Sequence, residues 1–209
     1  MSFASFRRSG IVTTVSDQAE WAVALDDAIL AALKAMRDGD NADWSVQAGD
    51  LEWDCRATVR HIAGAFIGYA GQLTSPRAEG WVPFDLILEG TPSPSEMRDV
   101  LQATGGILSS VVRTSEAKAV SYHSYGIAGP KDFAAMGILE LFVHTEDLSR
   151  GLGFVWSPPA ELCNRASAQL FPNAPQDHEP WPTLLWSTGR IPLGELARQE
   201  KWRWMNTGS

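Results

Sequence analysis

The sequence predicts an all-α protein. Apolar residues recur at 3.6-residue spacing in four separate stretches, a cap-competent residue opens each one, and Gly or Pro marks the joins. At 209 residues the chain is long enough to bury a substantial core.

The first helix opens at Asp17, read as an N-cap with Glu20 three positions on. It carries Trp21, Leu25, Ala28, Ile29, Ala32, Leu33 and Met36 on one face, and Gly39 ends it. Residues 1–15 ahead of it read as an arm without helical period. A polar linker from Asp38 to Glu52 leads to a second helix capped by Asp54. Here Val59, Ile62 and Phe66 make the apolar face and Arg56 and Arg60 a wet one. His61 belongs to neither. It stands on a strip of Ala57, Gly64, Ala65 and Gly68, which predicts either a close backbone approach or a hollow wall.

A connector rich in Pro, Gly and aromatic residues over 73–92 precedes the third helix. Ser93-Pro94-Ser95-Glu96 opens that helix as a capping box with Pro at the first helical position, and it runs to about Thr114. Gly105-Gly106 within it predicts a kink or a close approach. Residues 118–131 suit a strand or an ordered loop. Asp132 is read as the cap of the fourth helix, which Gly151 and Gly153 stop. Beyond it, Pro158-Pro159 starts a short helix, Trp181–Thr188 suits another, and the Trp202-Arg203-Trp204 alternation predicts a strand. The segment 154–209 is therefore expected to be a smaller, mixed extension.

The chemistry concentrates in the fourth helix. Glu140 and His144 stand one turn apart on one face, a spacing that lets both reach a single metal ion. On a helical wheel they lie nearly opposite Thr145, Glu146, Ser149 and Arg150, which are read as the solvent face, so Glu140 and His144 are expected to point inward. An inward carboxylate needs a partner. The pattern alone fits a metal site, a buried Glu–His pair or an exposed polar face. His61 is the best third ligand, since His123 falls in a loop and His178 in a Pro-rich acidic segment. Asp147, one turn past His144, is placed to hold it or to cap a neighbouring backbone. Tyr122, His123, Tyr125 and Lys131 are candidates for substrate contact, with a surface loop holding two packed tyrosines as the alternative.

Composition narrows the function classes. A formal net charge of -8 argues against sequence-independent nucleic-acid binding, which depends on Lys and Arg neutralising phosphates. No apolar run reaches the ~20 residues of a membrane span, and the amino terminus lacks the order of a signal peptide, so a cytoplasmic protein is expected. Cys55 and Cys163 have neither zinc-motif spacing nor disulfide density, and are expected to be reduced thiols.

Two motifs carry a family resemblance. Trp53-Asp54-Cys55-Arg56-Ala57-Thr58-Val59-Arg60-His61 resembles the second-helix signature of the DinB-like and mycothiol-dependent maleylpyruvate isomerase superfamily. Glu140-Leu141-Phe142-Val143-His144-Thr145-Glu146-Asp147 is similar to its fourth-helix E-x-x-x-H-x-x-D. The resemblance covers residues 16–153. It implies a four-helix bundle there, holding a divalent metal, usually Zn2+, on His61, Glu140 and His144, with one coordination place open to water or a thiol. The chain departs from the family pattern at Asp50-Leu51-Glu52, where Cys-Pro-Gly is usual, and at Ala57, where Asp is frequent. Ala57 would remove a carboxylate that orients His61. The segment from Phe154 does not resemble the isomerase's carboxy-terminal domain, so a different substrate is expected.

The resemblance implies a metal-dependent thiol S-transferase or isomerase acting on a small electrophilic substrate, with mycothiol or a similar thiol as cosubstrate. Catalysis would run through His61, Glu140 and His144, with Tyr125 as a further contact. A non-catalytic bundle that binds or senses a small ligand, and a metal-water hydrolase on the same ligands, are the alternatives. A homodimer is compatible with the acidic, Trp-rich tail, which could cover its own bundle or a partner's.

Overall fold

The computed structural model describes residues 16–208; the arm read over 1–15 lies outside the described residues. It is all-α. The helices are α1 (Asp17–Met36), continued by a 3-10 turn (Arg37–Gly39), α2 (Cys55–Thr74), α3 (Pro94–Thr114), α4 (Pro130–Leu152), α5 (Ala160–Leu170) and α6 (Pro180–Ser187). Among the described residues, no helix is long and apolar enough to cross a membrane.

Local chemistry accounts for most helix starts. The Asp54 side chain accepts from the Ala57 amide at 2.7 Å and caps α2. Ser93 and Glu96 close the expected capping box on α3, with Pro94 at the first position. Such caps each contribute about 0.5–2 kcal/mol. Two starts differ from the expectation. Ser16, not Asp17, caps α1, its hydroxyl accepting from Ala19 N at 3.3 Å. The cap position of α4 is Gly129, not Asp132; Pro130 supplies the first turn, and Asp132 Oδ2 reaches back to accept from Gly129 N at 2.9 Å.

α1 and α2 each pack against both α3 and α4, and α5 lies against α4 with α6 behind it. Leu25, Ile62, Phe66, Leu108, Ile138 and Phe142 are fully buried where these helices meet. α3 runs without a break through Gly105-Gly106. The close approach is at Gly105, where a Cβ would lie 2.5 Å from Ile29 Cδ1 and 3.2 Å from the Phe66 ring. α4 ends where Gly153 turns into the left-handed region, φ 78°.

α4 is buried on nearly every side: of the solvent face read for it, Arg150 is exposed and Glu146 half-buried, but Thr145 and Ser149 do not face solvent. Thr145 and Ser149 are buried because their hydroxyls donate to carbonyls of their own helix, Leu141 O at 2.6 Å and Glu146 O at 2.8 Å. Satisfied in this way, they accept cover by the later chain. The 118–131 segment is an ordered loop with one bridge, Ser121 to Ala128. Extension residues 154–209 are not mixed: among the described residues they hold two helices and no strand. Trp202–Trp204 is irregular chain. Trp204 is buried but Trp202 is exposed, so only one of the two indoles turns inward, and among the described residues no strand pairs with the segment.

Candidate metal-binding site

Helices α2 and α4 bring His61, Glu140 and His144 together. Both imidazoles converge on one carboxylate oxygen: His61 Nε2 lies 3.1 Å and His144 Nε2 3.3 Å from Glu140 Oε2. One ligand atom from each residue falls within 4.8 Å of the others, a His–His–Glu group that could hold a metal ion. The donor set is two imidazole nitrogens and one carboxylate, which suits zinc and several other divalent ions. His61 sits at the rim with 36% of its side chain exposed, while Glu140 and His144 are at 12% and 10%.

The α4 periodicity that buries Ile138 and Phe142 also turns Glu140 and His144 toward α2. There the Ala57, Gly64 and Ala65 strip leaves a hollow beside His61 and Trp53. Over the group opens a second cavity of about 390 Å3, whose wall includes Trp53, Tyr125, Arg150, Arg190, Arg198 and Trp202. The Trp53 ring packs against the His61 ring, with centroids 4.8 Å apart.

His144 is held from behind. Its Nδ1 lies 2.9 Å from Asp147 Oδ2, and Arg190 grips the same carboxylate through Nη2–Oδ2 at 2.7 Å and Nε–Oδ1 at 3.2 Å. With Nδ1 donating to Asp147, Nε2 is the nitrogen left to face Glu140. Tyr69 OH stands 3.5 Å from Glu140 Oε1. Neither Arg190 nor Tyr69 was read as a site residue. Tyr69 falls on the apolar stripe of α2 and resembles packing, whereas Arg190 is remote in sequence and gave no signal.

Charge in the group is balanced by contact. Burial raises the Glu140 pKa, but hydrogen bonding to His144 and His61 outweighs it and holds the carboxyl well below the usual range. Burial lowers that of His144, and its contacts with Asp147 and Glu140 outweigh this, so the imidazole binds its proton above the ordinary value. Asp147 is likewise held down, burial being outweighed by His144 and Arg190. Burial pushes the Tyr69 phenol well up, and Glu140 adds to this.

The loop candidates separate. Tyr125 lines the cavity, its ring 5.0 Å from Trp204. His123 is buried among Tyr69, Trp81 and Phe133, and burial pushes its pKa down to about 4, so it is a neutral packing residue. Tyr122 packs edge-on against Trp81. Lys131 pairs with Asp17 at 2.6 Å, a contact on the α1 side of α4. Neither lines the cavity over the group. Both cysteines are free and buried, and burial pushes each thiol up to about 12, which makes them poor nucleophiles.

No protein-family model, curated protein or solved structure matches this chain.

Proposed function

We propose that this chain is a metal-dependent thiol S-transferase or isomerase acting on a small electrophile, built as a DinB-like four-helix bundle over 16–153 with the extension 154–209 closing one side. The observation that carries the reading is the convergence of His61, Glu140 and His144 beneath an open cavity, with His144 fixed by Asp147 and Arg190. A structural Glu–His pair would need neither the cavity nor the second carboxylate. The ion we propose for this donor set is Zn2+, and the proposed cosubstrate is a low-molecular-weight thiol of the mycothiol type.

His61, Glu140 and His144 would hold a divalent ion, which would lower the pKa of a bound thiol and make thiolate available at neutral pH. The side chains have separate tasks. Asp147 keeps His144 Nε2 toward the ligand centre. Trp53 covers the exposed face of His61. Tyr69 offers its phenolic proton to the second oxygen of Glu140, leaving Oε2 for the imidazole side. Tyr125, on the cavity wall, is placed to contact substrate. The reaction class is addition of sulfur to an activated double bond, with a proton taken up at the adjacent carbon, or displacement of a leaving group at carbon.

The test is thiol consumption against a panel of electrophiles, with the metal-loaded chain, the chelated chain and His144→Ala. Thiol-dependent turnover lost in the second and third samples is expected. Activity surviving both would remove the metal mechanism. Turnover without added thiol would favour the hydrolase on the same ligands.

A further inference from the structure

A separate cavity of about 200 Å3 lies within the extension, where the ends of α5 and α6 meet the chain over 199–205. Leu170, Phe171, Trp186 and Met205 give it apolar walls. No residue lines both this cavity and the one over the metal group: Trp202 and Trp204 border the other, Arg203 and Met205 this one. Two polar groups here lack partners. Ser187 is 2% exposed, and its Oγ has no hydrogen-bond partner. Thr183 and Thr188 donate to the Glu179 and Leu184 carbonyls, each at 2.9 Å, but the Ser187 hydroxyl makes no such bond to its own helix. A buried hydroxyl left unmatched costs about 1–3 kcal/mol. Arg203 is exposed, and among the described residues no carboxylate or other acceptor takes its guanidinium. No Asp or Glu lines the cavity. In a chain of net charge -8, this hollow therefore carries one positive charge and no negative one.

We propose that this cavity is a second ligand site, built for a small aromatic carboxylate. The carboxylate accepts from Arg203 and from the Ser187 hydroxyl, and the ring rests on Phe171, Trp186 and Met205. Arg suits the role because its planar fork presents parallel donors to a carboxylate. The volume is below the ~300–1,000 Å3 of sites for drug-sized ligands, so it takes one ring and not two. A neutral molecule of the same shape would leave Arg203 unmatched and gain the apolar contacts alone. The site stands apart from the metal group, and the inference does not rest on the thiol reading.

The experiment titrates the full, isotope-labelled chain with benzoate and with its neutral isostere benzamide, following backbone amide shifts by NMR. Benzoate is expected to shift the Ser187, Gln199 and Met205 amides saturably and to bind about tenfold tighter than benzamide, the gain of one charge-assisted contact. Arg203→Met should bring the two within about twofold, and Ser187→Ala should weaken benzoate by roughly 2–10-fold. No saturable shift at these amides, equal affinities in the unaltered chain, or a benzoate affinity unchanged in both variants would overturn the proposal. Saturable shifts confined to the Tyr125 and His144 amides would place benzoate in the other cavity and overturn it as well. The comparison in the unaltered chain decides even where a variant fails to fold. Benzoate carries no sulfur, so failure here leaves the thiol reading untouched.

Discussion

Arg190 and Asp147 form a two-point ion pair across 43 residues of sequence, and Asp147 passes that constraint to His144 at 2.9 Å. Arg190 follows α6 in the extension, while Asp147 lies on α4. The extension thus reaches the back of the candidate metal site. Breaking the pair leaves Asp147 buried and free to turn from His144. Arg190→Met is therefore expected to weaken cobalt or zinc affinity by ~10–100-fold, as loss of an outer-shell partner does elsewhere. Competition with a chromophoric chelator measures it, and an unchanged affinity would show that Arg190 serves packing alone.

The metal-free chain should respond to pH in two directions. Glu140 and Asp147 are held below their ordinary values of 4.5 and 3.8, burial in each case being outweighed by hydrogen bonds. Their contribution is complete above those values and is lost as pH falls through the lower folded ones. His144 is held above 6.5, so its contribution is complete below 6.5 and is lost as pH rises through its folded value. Buried His123, pushed down to about 4, adds its own loss as pH falls below 6.5, so Tm in chelator should fall from near 6.5 toward acid and fall again as pH rises through the folded value of His144. Metal binding must displace the His144 proton, so affinity should fall on acidification by up to about tenfold per pH unit. A Tm that rises steadily into alkaline pH would contradict this balance.

Two glycines of the helices should give opposite results on substitution. A Cβ at Gly151 would stand 2.5 Å from the Gln47 carbonyl oxygen and 3.0 Å from Cys55 Sγ, and the backbone oxygen cannot rotate away. Gly151→Ala is expected to cost about 1–3 kcal/mol despite its better helix propensity. At Gly106 a Cβ meets nothing within 4 Å, and Gly106→Ala should stabilise by up to about 1 kcal/mol. Urea unfolding of both variants checks the contrast, and a Gly151→Ala chain as stable as the parent would refute the close approach.

The buried Asp132 ties down the end of the chain. Its carboxyl oxygens accept from Gln169 Nε2 at 2.8 Å, Thr207 N at 3.1 Å and Gly208 N at 2.9 Å, besides Gly129 N. Asp132→Ala should cost about 2–4 kcal/mol, the sum expected when several buried donors lose their acceptor. Hydrogen exchange at the Thr207 and Gly208 amides should quicken more than at mid-α4 amides. Equal protection in both proteins would mean that other contacts hold the tail.

What the sequence makes legible is local. Ser93 to Glu96 spans one turn, so its capping box needs no tertiary information, and Asp54 is equally self-contained. Glu140 and His144 are readable because one helix sets their spacing, and His61 because its small-residue strip breaks the pattern of α2. Adjacent cap-competent residues are harder: Ser16 and Asp17 differ by one position, and the Gly129-Pro130 signal at α4 was passed over for Asp132. The wheel for α4 mistook Thr145 and Ser149 for solvent-facing, since hydroxyls can satisfy themselves on their own helix and be covered by chain packing later. Trp202 and Trp204 show that alternating aromatics need not mark a strand: only Trp204 is buried, and among the described residues no strand forms there. Arg190 was out of reach because its contact with Asp147 exists only once α6 has docked.

We propose that His61, Glu140 and His144 hold a metal ion. Elemental analysis of the purified full chain, beside His61→Ala, tests it most directly. About one equivalent of a divalent ion is expected in the parent and a large loss in the variant, whose exposed ligand can be removed without emptying the core. Less than about 0.3 equivalents in the parent, unchanged in His61→Ala, would contradict it.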